Sequence, residues 1–358
     1  MRNLGLFLVI LKRYNDGKHM HKVITKKLNV RLASGFTLVE IMVTMIIIGI
    51  LSGVSIVGYG SWKESTITAQ LKSDLNGAVA AMDNARNFGN GYPTAIPTTF
   101  KPSNGVTLSG GGVLGGKGYC ITATNEKWRN SITQDKVILS GPCPVFSIDA
   151  GNKLSYPGSG VVITDLSGNN NNGDLENGVS YSSSNGGILV FDSPGKVINI
   201  PDSNTLDLAT EVSIEAWLRP TAEYVGYASH PITKWSGTTD ANFTLYYFGT
   251  TSGMSRNLIL YANAGGTWRG VAPSYQATLN QWVYIVYTYS SASGGKAYAN
   301  GSLIGSIDSG GLLATNNTEM TIGGSFTGQV GFVRLYNKLF SADDVKRNFE
   351  ASRSRYGL

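Results

Sequence analysis

Histidine, cysteine and charged residues are all scarce in this chain, and each shortage removes a class of chemistry. Two of the three histidines, His19 and His21, fall within the first 35 residues, so the remainder keeps only His230. One histidine leaves little material for a zinc site or a histidine-rich active centre. There are two cysteines, Cys120 and Cys143, and no C-x-x-C pair, which gives thiol redox work poor support. Charged residues make up 15% of the sequence, and the net charge of +6 is concentrated at one end. Residues 1–35 carry eight of the 29 lysines and arginines and one of the 23 acids, leaving 21 against 22, or about −1, for the rest. The basic balance is therefore a property of the N-terminal segment, and no electrostatic footprint for nucleic acid remains beyond it.

One apolar run is long. Phe36 to Val57 is 22 residues, enough at about 1.5 Å per residue to cross a hydrocarbon layer of roughly 30 Å as one helix. Lys26, Lys27 and Arg31 flank it, which keeps the N-terminal side cytoplasmic by the positive-inside rule. The run carries a single charge, Glu40. An acid in an apolar helix is costly and points to a partner or a function. A secretory signal peptide is disfavoured, because its apolar core is about 7 to 15 residues long and carries no acid.

A basic segment, Gly35, then Phe36-Thr37-Leu38-Val39-Glu40 and an apolar run resembles the leader and stem of type IV pilins and type II secretion pseudopilins. The resemblance implies that a membrane-embedded prepilin peptidase cuts after Gly35 and that the new amino terminus, Phe36, is methylated. It also implies assembly with other pilin subunits. Glu40 of one stem would then neutralise the Phe36 amine of a neighbour, since an unpaired buried charge is expensive, and this pairing would set the axial register. The competing reading of Glu40 is a carboxylate tolerated by the positive end of the helix dipole. The leader is long for this family, and translation from Met20 would give a more usual one.

These signals divide the chain into a prepilin leader (1–35), the membrane and assembly part of a stem helix (36–60), a pilin-like globular domain (61–150) and a second globular domain (151–358). Beyond the membrane, Ile67, Leu71, Leu75, Ala78 and Met82 recur at helical spacing as one apolar stripe, which needs a sheet to cover it. Gly89, Gly91 and Pro93 stop that helix. Gly49, Gly53, Gly58 and Gly60 read either as points of local unwinding or as close helix packing. The Gly-rich tract from Ser109 to Gly116 reads as a flexible turn, and GYCITAT and KVILS read as strands. In an exported segment Cys120 and Cys143 are expected to form one disulfide.

From Lys153 the texture changes to short alternating strands with frequent turns, the pattern of an antiparallel sandwich. Val212, Ile214, Ala216 and Leu218 alternate with polar residues, and Asn300-Gly301 is a strong hairpin signal. Four pieces in order resemble the laminin-G-like, concanavalin-A-like jelly roll: Asp165-Leu-Ser-Gly-Asn169, Ile200-Pro-Asp202 through Ile214-Glu-Ala-Trp217, Tyr298-Ala-Asn-Gly301, and Phe326 through Tyr336 with a short helix from Ser341. The expected fold class is thus α+β, a long pilin helix with a small antiparallel sheet followed by an all-β jelly roll.

Relatives of that jelly roll bind sugars or proteins, and some hydrolyse glycans. A Glu-x-Asp-x-x-Glu strand is absent here, and Glu215 and Asp202 read as solvent-facing or turn residues, so no enzyme is expected. The resemblance implies a calcium site, for which Asp165, Asn170, Asn172 and Asp202 are oxygen-bearing candidates; turn-shaping without metal is the competing reading. Tyr224, Tyr227, Trp235, Trp268 and Tyr275 fall in expected loops and are candidates for stacking on a ligand, with core packing as the competing reading. The expected protein is a minor type IV pilin-like subunit, anchored in the inner membrane and then displayed at the cell surface for adhesion to an extracellular glycan or protein. The alternative is a pseudopilin of a type II secretion or DNA-uptake apparatus, and a third reading is a tethered carbohydrate-active enzyme.

Overall fold

The computed structural model describes residues 37–235, 242–271 and 275–358, apart from the side chains of 54–58 and 61. The cleavage and methylation residues Gly35 and Phe36 lie outside the described residues. Two compact units divide between Lys63 and Glu64.

In the first unit the chain is helical from Leu38, the start of a helix α1 that runs Leu38–Asn87. Thr37 and Glu40 close its N-terminus reciprocally. The Thr37 amide and hydroxyl donate to Glu40 Oε2 at 2.8 and 2.7 Å, and the Glu40 amide donates to Thr37 Oγ1 at 3.2 Å. This is a capping box, which satisfies helix-end donors that otherwise lack partners. Leu38, Met45, Ile48 and Leu51 are all exposed. No helix among the described residues is long and apolar enough to cross a membrane; the described side chains of the apolar run stop at Gly53.

The second unit begins with the rest of α1. Its stripe, Ile67, Leu71, Leu75, Ala78 and Met82, is buried as the spacing predicts. The cover is a four-stranded antiparallel sheet made in order by Thr107–Val113, Gly118–Asn125, Trp128–Thr133 and Ile138–Ser140, which contributes Tyr119, Ile121, Ala123 and Ile132. The Gly-rich tract is not a flexible turn, because it supplies the first of these strands. Its glycines are needed for close approach: a Cβ on Gly111 or Gly112 would collide with the backbone of Tyr92 to Ala95. Cys120 and Cys143 form a disulfide with Cα atoms 6.0 Å apart, tying the second strand to the chain that leaves the sheet.

The rest folds as a sandwich of two eight-stranded sheets. Phe146–Asp149 already pairs with the strand Gly328–Tyr336, so the sandwich begins before residue 150. In the first sheet the neighbours run Thr267–Val271, Leu258–Ala264, Phe243–Phe248, Ala228–Lys234, Met320–Gly323 and Val197–Ile200, followed by Gly173–Glu176 and Val162–Ile163. In the second sheet the central strands are Val283–Ser290, Glu211–Pro220 and Gly328–Tyr336. Between the sheets lies one apolar core that includes Phe191, Ile214, Leu245, Leu260, Tyr287 and Val333. Asn300 and Gly301, both at positive φ, make the expected hairpin.

The second sheet is covered on its outer face as well. A C-terminal helix α2, Ala342–Ser352, capped reciprocally by Ser341 and Asp344, and a following turn, Arg353–Tyr356, whose Tyr356 packs on Trp217 and Trp282, seal a layer of Trp217, Trp282, Tyr284, Phe332 and Tyr336. The strand Glu211–Pro220 is therefore buried on both faces, and Glu215 is fully buried instead of solvent-facing. Its carboxylate accepts from the hydroxyls of Tyr284 and Tyr336, from Arg334 at 3.1 Å and from Asn348 at 3.4 Å. A buried charge survives only with such partners. Burial and the neighbouring Glu215 charge push both phenols well above their ordinary range.

Candidate functional site

The open part of the first sheet is its outer face at the end formed by the strands 228–234, 243–248, 258–264 and 267–271. Alternation decides which side chains reach it. Phe243, Leu245 and Tyr247 on one strand, and Leu258, Leu260 and Ala262 on the next, enter the sandwich core. Tyr246 and Tyr261 consequently point the other way, and Trp268, paired with Asn263, joins them.

There the rings close a circuit. Their centroids are 4.7 Å apart for His230 and Tyr246, 4.9 Å for Tyr246 and Tyr261, 6.4 Å for Tyr261 and Trp268, 5.3 Å for Trp268 and Trp235, and 5.4 Å for Trp235 and His230. Most contacts are edge-on or tilted, the arrangement aromatic quadrupoles favour. Gly270 stands opposite Tyr261 in the ladder, and a Cβ there would enter the Tyr261 ring. Buried Thr244, Ile259 and Asn263 form the floor. All five rings are half-buried, so one edge or face of the group remains open. Tyr227, 61% exposed, extends the surface through Phe248 at 5.5 Å.

None of these face residues carries a formal charge at neutral pH. Burial pushes the His230 imidazole down to about 4, so that ring is neutral. An uncharged surface of ring faces with hydroxyl, amide and indole N–H groups can stack on apolar sugar faces and hydrogen-bond at their edges.

Among the five aromatic candidates, the structure brings Trp235 and Trp268 together and sets Tyr227 at the margin. Tyr224 and Tyr275 instead pack against the sandwich core. His230, Tyr246 and Tyr261 were missed, although the alternation in NFTLYYF and NLILYA carried the signal for the two tyrosines.

The four oxygen-bearing candidates do not share one site. Asp165 is buried and accepts from the amides of Ser147, Ser167 and Asn171 and from the Ser167 hydroxyl. Asn172 accepts from the Asp165 amide at 2.9 Å, while Asn170 is exposed at a φ of 62°. Asp202 sits on the Lys234 ammonium at 2.7 Å. Among the described residues no cluster of three or more histidines, cysteines or acids could hold a metal.

A helix laid on a small sheet, joined to a sandwich with one aromatic face left open, defines a stem-borne jelly-roll protein. Residues 192–346 match the family model described as the concanavalin A-like lectin/glucanases superfamily, and residues 31–56 match the prokaryotic N-terminal methylation motif. No curated protein matches the chain. Among solved structures it is similar to domain 4 of AbnA, an extracellular arabinanase from Geobacillus stearothermophilus, at 17% identity over 58% of this chain and 98% of that one, with a TM-score of 0.45. It is also similar to the binding domain of Paraclostridial Mosquitocidal Protein 1, at 16% identity over 57% and 51% of the two chains, TM-score 0.47. A third is the botulinum neurotoxin serotype D ligand binding domain, at 13% identity over 58% and 50%, TM-score 0.48. The chain spans about half the length of the last two structures.

Proposed function

We propose that this chain is a minor type IV pilin-like subunit, held in the inner membrane by residues 36–57 and then displayed on a surface filament, where the jelly roll binds an uncharged glycan without turning it over. The observation that carries the binding is the half-open circuit of His230, Trp235, Tyr246, Tyr261 and Trp268, rings that carry no formal charge at neutral pH. The methylation motif supports the filament part of the reading, with prepilin peptidase and other pilin subunits as partners. A binding role, in place of hydrolysis, fits the fates of two acids: Glu215 is sealed under α2, and Asp202 is engaged by Lys234.

A glycan and matrix-protein array, probed with the full processed chain in detergent, tests the reading. Retention on neutral glycans that falls for Trp268→Ala supports it. Retention on matrix protein alone, or retention indifferent to Trp268, contradicts it. The array is run with and without calcium, because Asp165, Asn170, Asn172 and Asp202 do not converge on one ion and any calcium dependence would have to come from another set of oxygens. Washed, sheared surface filaments test the assembly part: recovery of the chain there supports a pilus subunit, and confinement to membranes supports the secretion pseudopilus. In the same preparation Glu40→Ala is expected to be cleaved normally but to enter filaments poorly, because the partner for the Phe36 amine is gone; normal entry would remove the register role.

A further inference from the structure

Lys234 is the most completely enclosed charge on the first sheet. Its side chain has no exposed surface, and its ammonium lies 2.7 Å from Asp202 Oδ1, 2.8 Å from both the carbonyl and Oδ1 of Asn316, 2.9 Å from the Thr318 carbonyl and 3.4 Å from Asp207 Oδ1. Five oxygens from two separate segments, 202–207 and 316–318, thus surround one nitrogen carried by a third. Sheet order explains the convergence. The strands Ala228–Lys234, Met320–Gly323 and Val197–Ile200 are direct neighbours, so the end of the first, the approach to the second and the exit of the third meet at one rim.

An ammonium has three protons to donate, and five acceptors exceed that supply. Two carboxylates, a side-chain amide oxygen and two backbone carbonyls form the hard-oxygen set that suits calcium, which takes six to eight oxygens at about 2.3–2.6 Å. The observed distances are those of N–H···O bonds instead. We propose that Lys234 is a built-in cation: its ammonium fills an oxygen cage of calcium-like composition, so the wild-type protein holds this rim together without metal, and removing the ammonium opens a divalent-cation site. The inference is independent of what the aromatic face binds.

The test uses the full chain in detergent, with calcium, a chelator and terbium as probes. Wild type is expected to unfold at the same temperature in millimolar calcium and in chelator. Lys234→Ala is expected to unfold roughly 10 °C lower in chelator, because a fully enclosed side chain is replaced by a void and five oxygens lose their shared donor. Millimolar calcium should restore at least half of that loss, and bound terbium should emit through the neighbouring Trp235. Lys234→Met keeps the side-chain volume and blocks the cage, so it should be destabilised without recovering in calcium. The proposal is overturned if Lys234→Ala ignores calcium, if it stays unfolded when refolded with calcium, or if Lys234→Met recovers equally. A wild-type midpoint that falls in chelator, and ceases to do so in Asp202→Asn, would overturn it as well.

Discussion

The outer faces of the two sandwich sheets are both rich in aromatic residues, yet among the described residues only one is covered. On the second sheet α2 and the turn after it, which contributes Tyr356, lie over Trp217, Tyr284 and Tyr336, and the polar atoms of these three rings find partners inside. Trp217 donates to Ser352 at 3.0 Å, Trp282 to Asn185 at 3.2 Å, and two tyrosines share Glu215. On the first sheet a comparable set of rings packs on itself and stays half-buried. Aromatic content alone therefore does not mark a binding surface. What separates the two faces is whether the chain supplies its own cover.

The largest test of this contrast breaks the sealed face. Glu215→Ala leaves Arg334 buried without its carboxylate, and loss of a buried partner costs roughly 3–5 kcal/mol. Chemical denaturation should show that loss, and ligand retention by the folded fraction should be unchanged. A shift under about 1 kcal/mol would mean that Arg334 finds water or another acid.

Trp268→Ala should do the reverse. Loss of a central aromatic contact is worth about 2 kcal/mol of binding, or roughly 30-fold, whereas a half-buried ring contributes less to stability than a sealed one. Equal losses of stability and binding would erase the distinction between the faces.

The smallest effect is on pH dependence. His230 has a folded-state value lowered to about 4 from 6.5, so between these values the unfolded chain binds the proton more readily. Its contribution is complete above about pH 6.5 and is lost progressively as pH falls toward about 4. Thermal midpoints of His230→Gln across that window should fall less steeply than those of wild type, and parallel slopes would contradict the burial assigned to the ring.

Much of the fold was legible because periodicity reports burial directly. The stripe from Ile67 to Met82 demanded a covering sheet, and Asn300-Gly301 could hardly be anything but a turn. Glu215 was not legible. Alternation assigns it outward, and the helix that buries it begins 127 residues later, at Ala342. The tract from Ser109 to Gly116 misled for a related reason, since its glycines answer to the backbone of Tyr92 to Ala95 and not to local flexibility. Half of the aromatic site was visible. Trp235 and Trp268 stood out as loop aromatics, but Tyr246 and Tyr261 look like core residues until strand register shows which face they share. For Tyr224 and Tyr275 the sequence left ligand stacking and core packing both open, and tertiary packing places them against the core.

Hydroxyl-radical footprinting of the full chain, with and without a retained glycan, reads both faces at once. The account predicts that Tyr246, Tyr261 and Trp268 are labelled in the free protein and protected by the glycan, while Trp217, Tyr284 and Tyr356 are unlabelled throughout. Glycan protection elsewhere with these three rings unchanged, or labelling of the rings under α2 as strong as that of Trp268, would contradict it.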